Sequence, residues 1–236
     1  MKYVCDDFGL HPSIDKAILH LAELGAVDAV SIMVNPGLEG ELTANSQLAN
    51  VEVGLHLNLT EGQPVTTDCT KLTQNNGNFF GLKTFMTNSV RGNVDSFELE
   101  QEISAQIHRL QSVFERVDHV DGHQHIQYFP PVRRALRKVL LEEDLGHIRI
   151  RSGFLRGLSP RSLILNSFAL TDFSKSHFPF LVDYSNRNIE PHEGTEIMMH
   201  VACPQLQADE LNLTSYSWKQ RVEQYQRRLT EIGEQC

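Results

Sequence analysis

His56, in the run Val53-Gly54-Leu55-His56-Leu57-Asn58-Leu59-Thr60, and the histidines of His119-Val120-Asp121-Gly122-His123-Gln124-His125 stand where apolar stretches give way to loop-like ones. Asp6 and Asp7 stand in the same situation just inside the N-terminus, after Tyr3-Val4-Cys5. Imidazole nitrogens and carboxylate oxygens both bind divalent cations, and a mixed set of three with open positions is how hydrolytic enzymes activate water. The pattern implies a metal site and metal-dependent hydrolysis. Taken singly, each residue has an ordinary structural use: an Asp after a strand can cap the next helix, and a His can be a hydrogen-bonded core residue. Their shared placement favours the site. Adjacent carboxylates at Asp6 and Asp7 point differently, so one can bind metal while the other accepts a proton.

The elements that must position these residues alternate. Tyr3-Val4-Cys5 reads as a short strand ending at Asp6-Asp7-Phe8-Gly9, and Pro12-Ser13-Ile14-Asp15 opens a helical pattern through Ile18, Leu21 and Leu24 to Gly25. Further strands are expected at Ala29 to Val34, Val51 to Leu57, Val117 to Val120, His147 to Arg151 and Thr195 to His200. Helices are expected at Leu38 to Leu48, Phe97 to Phe114, Pro131 to Leu141 and Trp218 to Ile232. Arg133, Arg134, Arg137 and Lys138 read as one solvated face of the third of these. Residues 60–93, rich in Thr, Asn and Gly, show no sustained period and read as a long loop in which Phe79, Phe80 and Phe85 either pin the loop to the core or form the apolar face of a lid. Strands alternating with helices imply an α/β fold with a mostly parallel sheet, closed or nearly closed into a barrel. In such barrels reactive groups gather at the carboxyl ends of the strands. Asp6, Asp7, His56, His119, Asp121, His123, Arg149 and His200 all fall at or just past such ends.

The 236 residues suit one domain over 1–236, because the candidate ligands are spread from position 6 to position 123 and no Pro/Gly/Ser-rich linker divides them. A formal net charge of -9 and a pI near 5.6 provide no basic stripe for phosphates, so nucleic acid is not an expected partner. Cys5, Cys69, Cys203 and Cys236 show no C-x-x-C spacing, which indicates neither a zinc knuckle nor a disulfide framework. With no apolar run of ~18 residues and no signal-like opening stretch, a cytoplasmic enzyme with reduced thiols and no membrane span is expected.

Three segments carry a family resemblance. Cys-Asp-Asp-Phe-Gly-Leu at 5 to 10, Val-Gly-Leu-His-Leu-Asn-Leu-Thr at 53 to 60, and His-Val-Asp-Gly-His-Gln-His at 119 to 125 followed by Pro130 resemble the YdjC-like carbohydrate deacetylases. The resemblance extends to Glu196-Ile197-Met198-Met199-His200. It implies a distorted (β/α) barrel related to the polysaccharide deacetylases and a divalent metal, Mg2+ in characterised relatives, bound by Asp7, His56 and His123. By the same resemblance Asp6 is the general base, Arg149 a charge that steadies that base, and His200 the group that protonates the departing amine. His125 would orient the site or the substrate. The family shows Ala before Asp-Asp and His-Pro near the last strand, where this chain has Cys5 and His200-Val201-Ala202-Cys203-Pro204. A homodimer is expected by analogy with related proteins.

The chemistry supports the resemblance independently. Amide hydrolysis needs a nucleophile at neutral pH, a stabilised oxyanion and a proton for the leaving amine, and this set has a candidate for each. The expected substrate is a small acetylated saccharide: an oligosaccharide, a sugar phosphate or a glycolipid head group. Zn2+ is the alternative cofactor, favoured by two imidazoles on softness alone. Two other functions use the same residue types: metal-dependent phosphoester hydrolysis, which generally needs more bridging carboxylates, and non-catalytic sugar binding around a structural metal.

Overall fold

The computed structural model describes residues 1–38, 40, 46–151, 154–155, 163, 166–167, 180–186, 194–204 and 216–234. Among them, eight strands form one sheet: β1 (Lys2–Phe8), β2 (Ala29–Ile32), β3 (Glu52–Leu57), β4 (His119–Gly122), β5 (Arg149–Ile150), β6 (Phe154–Leu155), β7 (Phe180–Asp183) and β8 (Thr195–Met199). The order is β5-β4-β3-β2-β1-β8-β7-β6, and the pairs are parallel. Read around a ring, this is the sequential strand order of a (β/α) barrel with the β5–β6 pairing left open. The expected distorted barrel of mostly parallel strands is what the chain forms.

Alternation along the strands sorts the side chains into two layers. Cys5, Val30, Ile32, Val53, Leu55, Leu57, Val120, Ile197 and Met199 belong to the apolar core beneath the helices. The residues between them meet across the inside of the curled sheet. Ser31 on β2 bonds His119 on β4 at 3.1 Å, passing over β3, and Arg149 on β5 reaches Glu196 on β8 at 2.9 Å although four strands separate them in the sheet. Gly54 permits the first of these crossings: a Cβ there would lie 2.2 Å from Nε2 of the His119 ring.

The helices are α1 (Pro12–Glu23), α2 (Leu82–Arg91), α3 (Ser96–Gln111), α4 (Pro130–Glu142) and α5 (Trp218–Glu231). His11, whose side chain accepts from the Ser13 N–H, caps α1, so Asp6 and Asp7 are free of the capping role. Asp95 caps α3, and a Ser217/Gln220 capping box opens α5.

Several expectations shift. The stretch read as a loop from 60 to 93 contains α2, a helix with a single buried residue, Phe85, and a left-handed Gly92 at its C-cap. Leu82, Phe85, Met86 and Val90 carry a helical spacing, but it is short, and Met86 and Val90 are left exposed. Phe79 and Phe85 are buried in the core, Phe85 edge-on to Phe129, so they pin this segment down. β4 lies two residues later than expected, β2 ends at Ile32, and β5 is confined to Arg149–Ile150. The expected helix at Leu38 to Leu48 falls largely outside the described residues, which show a 3-10 turn at Ser46–Leu48. On α4, Arg134, Arg137 and Lys138 are exposed, whereas Arg133 is buried. Cys5, Cys69 and Cys203 are free and buried, and no described helix is long and apolar enough to cross a membrane.

Gly54→Ala is expected to cost about 1–3 kcal/mol by overpacking against the His119 ring. Gly146→Ala, where a Cβ meets nothing within 4 Å, should cost far less. Urea denaturation of both variants checks this, and equal losses would contradict it.

Candidate metal centre and active site

The two N-terminal carboxylates face one cavity because β1 bulges between them. The register runs Cys5↔Val30 and then Phe8↔Ile32, one residue more on β1 than on β2. Asp7 sits at this bulge in the left-handed region with φ 70°, which Asp tolerates better than most residues. Strict alternation would turn one of the pair outward, but the bulge leaves Asp6 and Asp7 both buried.

Asp7 is the centre of the arrangement. Its Oδ1 lies 2.9 Å from His123 Nδ1 and 3.2 Å from His56 Nε2, and its Oδ2 accepts from Arg221 of α5 at 2.7 Å. The two imidazoles stand 5.4 Å apart, edge to face. His56 comes from near the end of β3, and His123 follows β4 at a turn where Gln124 and His125 both take positive φ. Behind His56, Nδ1 donates to Asp121 at 2.7 Å, and Asp121 accepts from Ser31 at 2.8 Å. This backing fixes the His56 tautomer so that Nε2 faces Asp7 as an acceptor. One ligand atom from each of Asp7, His56 and His123 lies within 4.8 Å of the others. Acceptors crowded in this way repel one another unless protons or a cation come between them. The two short separations match those of neighbouring donors around one ion with ~2.1 Å bonds, roughly 3.0–3.4 Å. The residues therefore fit a divalent metal.

Asp6 stands beside this set. Arg151 Nη1 approaches its Oδ1 at 3.4 Å, and His200 Nε2 lies 3.9 Å from its Oδ2. Arg151 also bonds Asp121 through Nη1 and Glu196 through Nε at 2.6 Å, tying β4, β5 and β8 together behind the site. His200 follows β8; its N–H donates to Gln224 of α5 at 2.9 Å, and its ring stacks on Tyr216 with centroids 4.0 Å apart.

Charge in the cavity follows from burial. Burial pushes Asp6 up to about 7, with Asp121 adding to the push against Arg151. Burial acts to raise Asp7 as well, yet Arg221 and His123 hold it well below the usual carboxylate range. Burial disfavours a charged His56, but Asp121, Asp7 and Asp6 carry it well above the ordinary imidazole value. His123 is raised against burial in the same way by Asp7 and Glu61. The carboxylates thus favour positive charge between Asp7, His56 and His123. His200 goes the other way, driven well below its usual value chiefly by burial.

The structure brings Asp6, Asp7, His56, His123 and His200 to one mouth, and Asp121 and His119 line it from beneath. Arg149 stands one layer lower: it pairs with Glu196 at 2.9 Å and with Glu52 at 3.6 Å, and the guanidinium that reaches Asp6 is that of Arg151. Arg149 opens β5, whereas Arg151 follows it on the same face, so a two-residue alternation separates the two roles. His125 is partly exposed, its ring edge-on to Tyr128 at 6.1 Å. Sequence reasoning missed Arg151, Arg221, Glu61 and Ser31. Glu61 follows directly on the motif at 53 to 60, and Arg151 could have been found by weighing both arginines of the strand expected at His147 to Arg151. Arg221 is hidden in a helix with charges on every side.

Removing Arg151 takes the guanidinium from buried Asp121 and leaves buried Glu196 to Arg149 alone. Arg151→Met is therefore expected to cost on the order of 3–5 kcal/mol. Arg149→Met, at a partly exposed site with Arg151 still on Glu196, should cost about 1 kcal/mol or less. Burial acts to raise Glu196, but Arg151 and Arg149 hold it below its ordinary 4.5. Its stabilisation is thus full above about pH 4.5 and is lost as pH falls through the depressed folded value. Denaturant midpoints of both variants at neutral and acid pH check this, and a larger loss at Arg149 would contradict it.

Comparison with known proteins places the chain. The YdjC-like protein family profile matches residues 4–231. The carbohydrate deacetylase of Brevibacillus brevis is 29% identical over 224 residues, 92% of this chain and 86% of that protein. The carbohydrate deacetylase of Xenopus laevis is 32% identical over 152 residues, 61% of this chain and 48% of that protein. That of Halalkalibacterium halodurans is 29% identical over 150 residues, 63% of this chain and 62% of that protein. The chain thus spans less than two thirds of the Xenopus and Halalkalibacterium relatives. A crystal structure of a candidate cellobiose-phosphate cleavage protein from Enterococcus faecalis V583 superposes with a TM-score of 0.62 at 16% identity. It covers 99% of this chain and 95% of its own, a likeness of fold. On the match from residue 4 to residue 231, the chain belongs to the YdjC-like protein family.

Proposed function

We propose that this chain is a metal-dependent hydrolase that removes an N-acetyl group from an acetylated amino sugar. The observation that carries the reading is the convergence of His56 Nε2 and His123 Nδ1 on one oxygen of Asp7, with Asp6 beside them. Asp7, His56 and His123 would hold the ion. Mg2+ is the cofactor we favour from the family resemblance, with Zn2+ the alternative that two imidazoles favour. A divalent ion there supplies an electrophile for the amide carbonyl and lowers the pKa of a water.

The remaining steps belong to the side chains. Asp6, pushed up to about 7, is basic enough at neutral pH to take a proton from the attacking water and acidic enough to release it. Arg151 holds Asp6 in place, and Arg149 acts one step further back through Glu196. His200, neutral at rest and 3.9 Å from Asp6, is placed to pass a proton to the leaving nitrogen. Tyr216 stacked on its ring and Gln224 on its backbone fix its orientation. A purely structural metal prefers closed four-coordination and has no use for a second carboxylate such as Asp6. The relatives named as carbohydrate deacetylases support the saccharide as substrate class.

The test is acetate release from N-acetylglucosamine mono-, di- and trisaccharides, with and without phosphate, by chelated protein resupplied with Mg2+, Mn2+, Co2+ or Zn2+. Release is expected to return with metal. Asp6→Asn should keep the metal and lose about 10²–10⁴-fold in rate. Asp7→Asn, chosen because Asn tolerates positive φ, should lose the metal as well. Folded, metal-loaded protein that releases no acetate from any of these saccharides would overturn the reading.

A further inference from the structure

The two imidazoles at Asp7 are built alike, and the likeness assigns a role to Glu61. His56 turns one nitrogen to Asp7 and the other to Asp121 at 2.7 Å. His123 turns Nδ1 to Asp7 at 2.9 Å, and its Nε2 lies 3.2 Å from Glu61 Oε1, an ion-pair distance without the alignment of a hydrogen bond. The Glu61 side chain is only 8% exposed, its Oε1 accepts from Gln124 at 3.0 Å, and its Oε2 is buried without a hydrogen-bond partner. We propose that Glu61 is the positioning carboxylate of His123, as Asp121 is of His56, fixing the imidazole so that Nδ1 presents a lone pair beside Asp7. This inference rests on the metal reading proposed above.

The scaffold around Glu61 supports a dedicated role. Asn58 grips the Glu61 backbone from both sides: Oδ1 accepts from the Glu61 N–H at 3.1 Å, and Nδ2 donates to the Glu61 carbonyl at 2.7 Å. Asn58 is itself fixed by Gln106, which accepts from its N–H at 3.1 Å and donates to its carbonyl at 2.7 Å, and by Asn35 at 3.1 Å. Buried Glu102 of α3 then gathers Gln106, Thr66 and the Val65 N–H. A segment without regular structure between β3 and α2 is thereby fixed at one point, and that point aims a carboxylate at His123. On the other side, Gln124 reaches Glu61 from a backbone at φ 55°, an unusual conformation for a non-glycine residue. Carboxylates that orient metal-binding imidazoles typically contribute 10–100-fold to metal affinity.

The experiment is calorimetric titration of the chelated protein with Mn2+ or Zn2+ alone, for wild type, Glu61→Gln, Glu61→Ala and Asp7→Asn, with melting temperatures of the metal-free proteins alongside. Glu61→Gln and Glu61→Ala are expected to bind about 10–100-fold more weakly, with metal-free melting temperatures close to wild type. Long-range proton–nitrogen spectra of the zinc-loaded protein should show a fixed Nε2–H tautomer for His123 in wild type that is lost in Glu61→Gln. Wild-type affinity in both Glu61 variants would overturn the inference while leaving the metal site intact. A loss as complete as that of Asp7→Asn would make Glu61 a direct ligand and also overturn it. A wild-type protein that binds neither ion would overturn this inference together with the reading beneath it. Should Glu61→Ala fail to fold, Glu61→Gln keeps the shape and decides the matter.

Discussion

Asp7 can serve the cavity only because its backbone leaves the strand conformation. Two neighbours on a regular strand face opposite ways, yet Asp6 and Asp7 are both buried at the same mouth, through one extra residue on β1 and a φ of 70° at Asp7. Such a backbone costs of order 1–2 kcal/mol for an L-residue, less for Asp, and it persists only where surrounding contacts over-determine it. Here they do so from several sides: Arg221 on Oδ2, two imidazoles on Oδ1, the Leu10 N–H on the Asp7 carbonyl, and Asp15 of α1 accepting from the Gly9 N–H just beyond. The distortion lets one short strand supply both a ligand and its neighbouring base.

Gathering acids in one cavity creates a second demand. Asp6, Asp7, Glu61, Asp121 and Glu196 stand close together and outnumber the guanidinia of Arg151, Arg221 and Arg149 that face them. Buried carboxylates without cations would protonate or drive the structure apart. Arg151 answers this on the β4–β5–β8 side and Arg221 on the α5 side, while His56 and His123 are drawn toward the charged form. An inner layer this polar is unusual for a barrel core, and the apolar packing moves outward to the interface between sheet and helices. Stability and function therefore share one electrostatic network: the cavity that fits a divalent ion also needs positive charge to stay folded.

Much of this was legible in the sequence, for physical reasons. Short apolar runs that end in Asp or His mark strands buried on one face and open at the mouth, and this pattern alone places Asp6, Asp7, His56, His123 and His200 together. Arg149 and Arg151 show the limit. Arg149 opens β5 and Arg151 follows it two residues on, facing the same way, and only the depth of each in the barrel decides which reaches Asp6. Arg221 was illegible because α5 carries Lys219, Arg221, Arg227 and Arg228, three of them wholly or partly buried, and helical position does not tell which reaches Asp7. The helix α2 escaped because its helical spacing of Leu82, Phe85, Met86 and Val90 runs for only ten residues after a stretch rich in Gly and Asn.

Every role assigned to these residues returns to one claim, that Asp7, His56 and His123 share a divalent ion. Anomalous diffraction at the manganese edge from crystals equilibrated with Mn2+ tests that claim directly. The account predicts a single strong peak at the strand mouth, about 2.0–2.3 Å from one atom of each of the three residues, with Arg221 still on the far oxygen of Asp7. A peak elsewhere in the molecule, or none at full Mn2+ occupancy of the crystal solvent, would contradict it.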